Sequence, residues 1–357
     1  MWGRLWGFVG KTTRTAAHHL APPAVRRWAF RAGLATLGLV GGVGILNVTG
    51  RKQVPIGAAW HISRGDSLLR SARRSGGNDR ESSRAALQEY SIALAQLGVS
   101  SDRLLQAHVH RRIVEALDLL EDWEAAEQTC LDAIQNLVQN SPTGRETPGV
   151  LELSRILAYS YERMNKVEDA YSVLVHAHEI GQKMLKEYWE EKKESGNVDA
   201  YYLMEINAAI ADHASQICRA LGDFESSFLW ADEAMHYLGI VKEHHVSSSE
   251  KTKLDHASLG LIARRAHDMM LVNDFEAAQI YAKRGLDMLS EMRNVQGDVE
   301  CSLWYTMGCI QTHFGQDNEA FQSFVKASTL ATNAGLDDFI KNQIVEELKK
   351  LDQKKRG

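Results

Sequence analysis

A small residue is followed by another seven positions later, five times along this chain. The pairs are Ala126/Ala133, Ala170/Ala177, Ser227/Ala234, Ala278/Gly285 and Ala320/Ala327. Seven residues are two helical turns, so both members of a pair lie on one face of a helix. Small side chains there let a second helix come close. Three of the pairs stand just behind a turn of one type, Asp122-Trp123-Glu124, Asp223-Phe224-Glu225 and Asp274-Phe275-Glu276. A weaker sixth copy reads Ala86, Tyr90, Ala93. The openings are 40, 44, 57, 51 and 42 residues apart. A recurrence on that scale predicts tandem helix pairs, each burying its apolar face against its neighbours.

The last copy shows the pattern in full. Trp304 to Ala327 reads as two short amphipathic helices joined at Gly315, with Trp304, Met307, Gly308 and Gln311 on one face of the first. Ala320, Phe324 and Ala327 share a face of the second, and the two helices are expected to approach closely at Gly308 and Ala320. The stretch resembles a tetratricopeptide (TPR) unit, with Met307 in the place of the usual leucine and Gln311 in that of the tyrosine. The expected fold class is all-α: a TPR-like α-solenoid of about five to six helix-turn-helix repeats over 83–335, with a capping helix and tail over 336–357. A content of 44% apolar residues with only 5 prolines agrees. A long helix is expected from about Asp169 through Glu194, and a last one from Leu336 to Leu351.

Charge is divided unevenly. Residues 1–84 hold 14 Lys/Arg against 3 Asp/Glu, and the other 273 residues hold 27 against 43. An acidic body argues against nucleic acid as a partner. Residues 1–31 contain Arg4, Lys11, Arg14, Arg26, Arg27 and Arg31 and no acid, which reads as a mitochondrial targeting segment. Residues 32–50 are a 19-residue run without a charge, long enough for one transmembrane helix, with Gly38 and Gly42 as a face for packing against another membrane helix. Residues 51–82 read as a basic juxtamembrane linker. The layout places a single-pass anchor in the mitochondrial inner membrane and the acidic repeats in the intermembrane space.

No reactive constellation stands out. His108/His110 and His176/His178 are two residues apart and so face different ways on a helix. No HExxH, phosphate loop or nucleophile elbow occurs, and Cys130, Cys218, Cys301 and Cys309 lack metal or twin-cysteine spacing. Glu121-Asp122 and Asp337-Asp338 fall at helix starts, where carboxylates serve the helix dipole. The reading is a protein that is not an enzyme, with no cofactor, no metal and no small-molecule substrate. The TPR resemblance implies a concave binding surface lined by first helices. Its groove positions fall on Arg111, Glu115, Arg155, Tyr159, Asp212, Gln216, Arg219, His267, Tyr305 and Cys309, with His108, Asp118, Glu152, Glu162, Met270 and Thr312 beside them. The Lys and Asn that clamp a terminal carboxylate in the chaperone-tail class are absent from these places.

Basic leader, charge-free run and long repeats together resemble the fungal mitochondrial inner-membrane TPR proteins that act as substrate adaptors for the i-AAA protease. That resemblance implies capture of unfolded client polypeptides and delivery to an AAA protease complex. The same layout is similar to tetratricopeptide repeat protein 19, tied to respiratory complex III maturation. A soluble mitochondrial TPR scaffold is the reading of another class.

Overall fold

The computed structural model describes residues 55–75, 79–98, 103–139, 148–191, 198–244, 248–292 and 297–356. The targeting segment, the charge-free run and Gly38 and Gly42 lie outside them. Among the described residues there are thirteen α-helices and no strand. They are α1 (Ile56–Arg74), α2 (Arg80–Leu97), α3 (Arg103–Leu120), α4 (Trp123–Gln139), α5 (Pro148–Arg163), α6 (Val167–Glu191) and α7 (Val198–Leu221). Then follow α8 (Phe224–His244), α9 (Ser248–Leu271), α10 (Phe275–Glu291), α11 (Gly297–His313), α12 (Asp317–Asn333) and α13 (Asp338–Arg356). No described helix is long and apolar enough to cross a membrane.

One turn geometry joins the helices of a pair. At Glu121, Asn165, Gly222, Asn273 and Gly315 the backbone has a positive φ, between 61° and 81°. Around each, two backbone hydrogen bonds close the preceding helix. Asp122 N–H donates to Leu117 O at 3.1 Å and Glu121 N–H to Asp118 O at 3.0 Å. Gln316 N–H donates to Gln311 O at 2.8 Å and Gly315 N–H to Thr312 O at 3.1 Å. These left-handed caps satisfy carbonyls that the helix end would otherwise leave open. The aspartate of each Asp-aromatic-Glu turn then caps the second helix: Asp122 accepts from Ala125 N–H at 3.2 Å, Asp223 from Ser226 N–H at 3.0 Å and Asp274 from Ala277 N–H at 3.0 Å. The same geometry returns at Gly335, between α12 and α13, where Leu336 N–H reaches Ala331 O at 2.9 Å.

The recurring small residues do what their spacing predicts. Ala126, Ala170, Ala278 and Ala320, which open second helices, are fully buried, as are Ala133, Ala234 and Ala327 two turns on. A methyl group added at Gly308 would stand 2.8 Å from the Phe324 ring, so the close approach expected of this glycine is real.

One expectation is corrected. Part of the stretch read as a juxtamembrane linker, residues 56–74, forms α1 and packs against α2. Ala58, Leu69 and Ala72 on it are buried, because an apolar stripe at helical spacing runs through its arginines. A methyl group at Gly65 would stand 2.7 Å from the Tyr90 ring, the counterpart of Gly308 on Phe324. The weaker sixth copy is thus the second helix of a complete pair, and the repeats begin near residue 56 rather than 83.

The described residues fall into two compact units. One is drawn from Gly38–Ile217 and Asp232–His245, the other from Cys218–Ala231 and Val246–Gly357. In the first, Leu69, Tyr90, Val109, Ala116, Cys130 and Leu157 share one core that runs from α1 to α5. In the second, Phe324, Ala327, Ala331, Ile344 and Leu351 join α12 to α13, so the last helix covers an otherwise open apolar face, as a cap must.

Candidate protein-binding face

In the first unit, the charged positions of α3 and α5 bond across neighbouring helices. Arg111 is buried, and its Nε donates to Glu115 Oε1 at 3.1 Å. Glu115 Oε2 accepts from Arg112 and from Arg73 of α1, each at 2.8 Å. Burial alone would raise the Glu115 pKa; Arg111, Arg112 and Arg73 overcome it and hold the carboxyl at about 2. Arg112 Nε also stands 3.2 Å from Asp66 Oδ1, which accepts from the Tyr90 hydroxyl at 2.7 Å. Sequence reasoning marked Arg111 and Glu115 but missed Arg73, Arg112, Asp66 and Tyr90. The i,i+3 spacing of Arg112 and Glu115 was the one visible signal.

On α5, Tyr159 donates to Asp118 Oδ2 of α3 at 3.3 Å, and Arg163 Nε lies 3.5 Å from Asp118 Oδ1. Burial raises the Asp118 pKa, and Arg163 opposes the shift. Glu152 is buried and accepts from the Tyr202 hydroxyl of α7 at 2.8 Å. Glu162 meets the His213 imidazole of α7. Asp212 accepts from Gln216 on the same helix at 3.1 Å. Arg155 is half-buried, and burial and then the charge of Arg111 lower its pKa. His108 is buried, and its pKa falls through burial and then the charges of Arg112 and Arg111.

Arg219 Nε is 2.7 Å from Asp268 Oδ1, a partner not marked in the sequence. Burial and then Arg219 lower the His267 pKa to about 3, so this imidazole is neutral at physiological pH. Arg265 lies over the Phe228 ring at 3.9 Å. Tyr305 packs against Phe324, ring centroids 5.7 Å apart, and Cys309 follows one turn on. Burial pushes that thiol up to about 12, so it stays protonated and is a poor nucleophile at neutral pH. Thr312 bonds its own helix, donating to Gly308 O at 2.9 Å.

The aromatic of the Asp-aromatic-Glu turn has a role not anticipated from the sequence. Trp123 lies under the Arg163 guanidinium at 4.8 Å, and Phe275 stacks on His313 at 3.6 Å. In both cases the first residue of a second helix holds the last turn of the next first helix. The arrangement offers polar and aromatic side chains on successive first helices. No cluster of metal-ligating groups occurs among those residues, and the four cysteines are free.

No protein-family model matches the chain, and no curated protein matches it. Among solved structures it is similar to BtubC (BKLC) from P. vanneervenii, at 15% identity and a TM-score of 0.42, covering 84% of this chain and 92% of that one. A Rap protein complexed with competence and sporulation factor gives 12% identity and 0.43, over 91% and 87% of the two chains. Acl4, an assembly chaperone of RpL4, gives 14% and 0.41, over 84% and 99%. Such likenesses are distant, and the turn geometry repeated within the chain is what defines its helix pairs.

Proposed function

We propose that this protein is a non-enzymatic adaptor that binds other polypeptides along the first helices of its TPR-like repeats. The observation that carries the reading is the recurrence of one helix pair, with polar and aromatic side chains on its first helix. Such arrays cost little to extend and display many side chains to a chain in extended conformation.

The finer reading rests on the sequence. The acid-free basic leader and the charge-free run support tethering to the mitochondrial inner membrane, with the repeats in the intermembrane space. The resemblance to the i-AAA adaptors supports recruitment of unfolded or misfolded proteins to that protease. Two measurements test this. Carbonate extraction with protease protection of mitoplasts is expected to leave the protein in the membrane and its repeats cleavable from the intermembrane space; a soluble, protected protein contradicts the tether. Pull-down of the full chain in mild detergent is expected to bring down an AAA protease. Cytochrome bc1 subunits in its place would move the assignment to complex III maturation.

A further inference from the structure

We infer that residues 1–31 of this chain dock on an apolar edge of its second unit. The inference goes beyond the adaptor reading and does not rest on it. The edge is made by the turns that end α7, α9 and α11. Leu221, Leu271, Val272 and Phe314 stand at those ends, each between 39% and 48% exposed. Two contacts hold the three turns side by side. Arg219 Nε, two residues before Leu221, is 2.7 Å from Asp268 Oδ1, three before Leu271. The Phe275 ring, three residues after Val272, stacks on His313 at 3.6 Å, and His313 meets the Phe314 ring at 5.3 Å. Leu229 and Ile280, each 68% exposed, hold the same place on α8 and α10, two residues after the small residue that opens the helix. The Arg265 guanidinium lies over the rings next to them, Phe228 at 3.9 Å and Tyr281 at 5.6 Å. Exposed apolar residues on adjoining elements mark a surface that something covers.

The charge beside the row selects its occupant. Asp223, Glu225, Asp274, Glu276 and Glu319 are exposed at these turns, and 221–226, 271–277 and 314–319 contain no Lys or Arg. Lys354 of α13 reaches the third turn and pairs with Asp317 at 2.8 Å, and Lys283 and Arg284 follow Ile280 by three and four residues. An apolar row with an acidic rim is complementary to a segment that is apolar and basic at once. Residues 1–31 answer that description. They carry Arg4, Lys11, Arg14, Arg26, Arg27 and Arg31 and no acid, and Trp2, Leu5, Trp6 and Val9 have the spacing of one helix face. An anionic lipid surface would be repelled by the rim, and the repeats of a second copy would bring the same carboxylates. Residues 32–54 can extend to about 80 Å, roughly twice the length of the 25-residue α6, so the leader has the reach. Under the topology proposed above, residues 1–31 and the repeats end on opposite sides of the membrane, so the contact belongs to the chain before insertion.

The test uses the full chain translated in a cell-free system without membranes, with p-benzoylphenylalanine in place of Phe314. Irradiation followed by mass spectrometry of the digest is expected to join position 314 to a peptide from residues 1–31 of the same molecule. The same probe in place of Leu131, an exposed apolar residue of α4, is expected to give several-fold less of that product. Reversing the leader with Arg4→Glu, Lys11→Glu and Arg14→Glu is expected to lower the yield from position 314 several-fold, and this change leaves the repeats untouched. Adding Glu225→Lys, Glu276→Lys and Glu319→Lys to the reversed leader is expected to restore it. The inference is overturned if position 314 joins no leader peptide, or if position 131 joins it equally well. It is also overturned if the product holds a second copy, an extract protein or, with phosphatidylcholine–cardiolipin vesicles added, a phospholipid in place of the leader. A yield that leader reversal leaves unchanged contradicts it, as does a combined variant that melts like the parent and still fails to crosslink.

Discussion

Arg111 and Glu115 occupy the same two positions of α3 that Tyr305 and Cys309 occupy in α11, fifteen and eleven residues before the small residue that opens the second helix. In α3 the positions hold a charge network tied to α1; in α11 they hold a ring and a protonated thiol against Phe324. The helix pair beneath is the same, with a glycine admitting an aromatic ring in each terminal pair, Gly65 on Tyr90 and Gly308 on Phe324. The scaffold is thus set by small residues and turns, and these two positions of the first helix differ in chemistry without changing it. That freedom is what a binding repeat needs.

The largest expected contrast comes from breaking each position. Glu115→Gln strands three arginines and is expected to cost about 3 kcal/mol, the scale for removing one member of a buried ion pair. Cys309→Ser is expected to cost about 1 kcal/mol or less. Urea midpoints of the two variants test the difference; equal losses would mean that the α3 network adds nothing to packing. Next come Gly65→Ala and Gly308→Ala, each expected to lose about 2 kcal/mol as a methyl group pushes an aromatic ring from its seat. A tolerated Gly308→Ala with a damaging Gly65→Ala would break the equivalence of the two pairs.

Acid sharpens the comparison through sign. The His267 pKa is lowered to about 3 in the fold, so its neutral form is favoured and its contribution is complete above the unfolded value near 6.5. As pH falls from 7 to 5 the unfolded chain binds a proton that the fold refuses, and about 2 kcal/mol is lost. Glu115, held at about 2, keeps its contribution down to the ordinary carboxylate range and loses it only below that. His267→Gln is therefore expected to flatten the pH 7 to 5 dependence of stability, and Glu115→Gln to leave that window unchanged. The smallest effect is expected at the turns. Glu121→Gly should stabilise by roughly 0.5 kcal/mol by removing a left-handed non-glycine residue, partly offset by the freedom of glycine in the unfolded chain. Thermal melts check it.

The helix pairs were legible because their constraint is local: a small residue where two helices touch, repeated two turns on, behind an aspartate that caps. The left-handed residues have glycine at Gly222, Gly315 and Gly335 and asparagine, which also tolerates the conformation, at Asn165 and Asn273; Glu121 adopts it with no such signal in its residue type. α1 was missed because its arginines and Gly65 resemble a solvated segment, and the meaning of Gly65 depends on Tyr90, 25 residues on. The Arg73–Glu115 bond spans 42 residues and the Tyr202–Glu152 bond 50, distances over which spacing carries no signal. Groove positions transferred by resemblance fall on first helices, but the transfer carried no sign of which of them are bonded to one another.

The most direct measurement is hydrogen exchange of the full chain with and without an unfolded polypeptide, such as reduced, carboxymethylated α-lactalbumin. The account predicts added protection on the first helices, centred on α3, α5 and α7. Unchanged exchange throughout, or protection confined to the second helices, would contradict it.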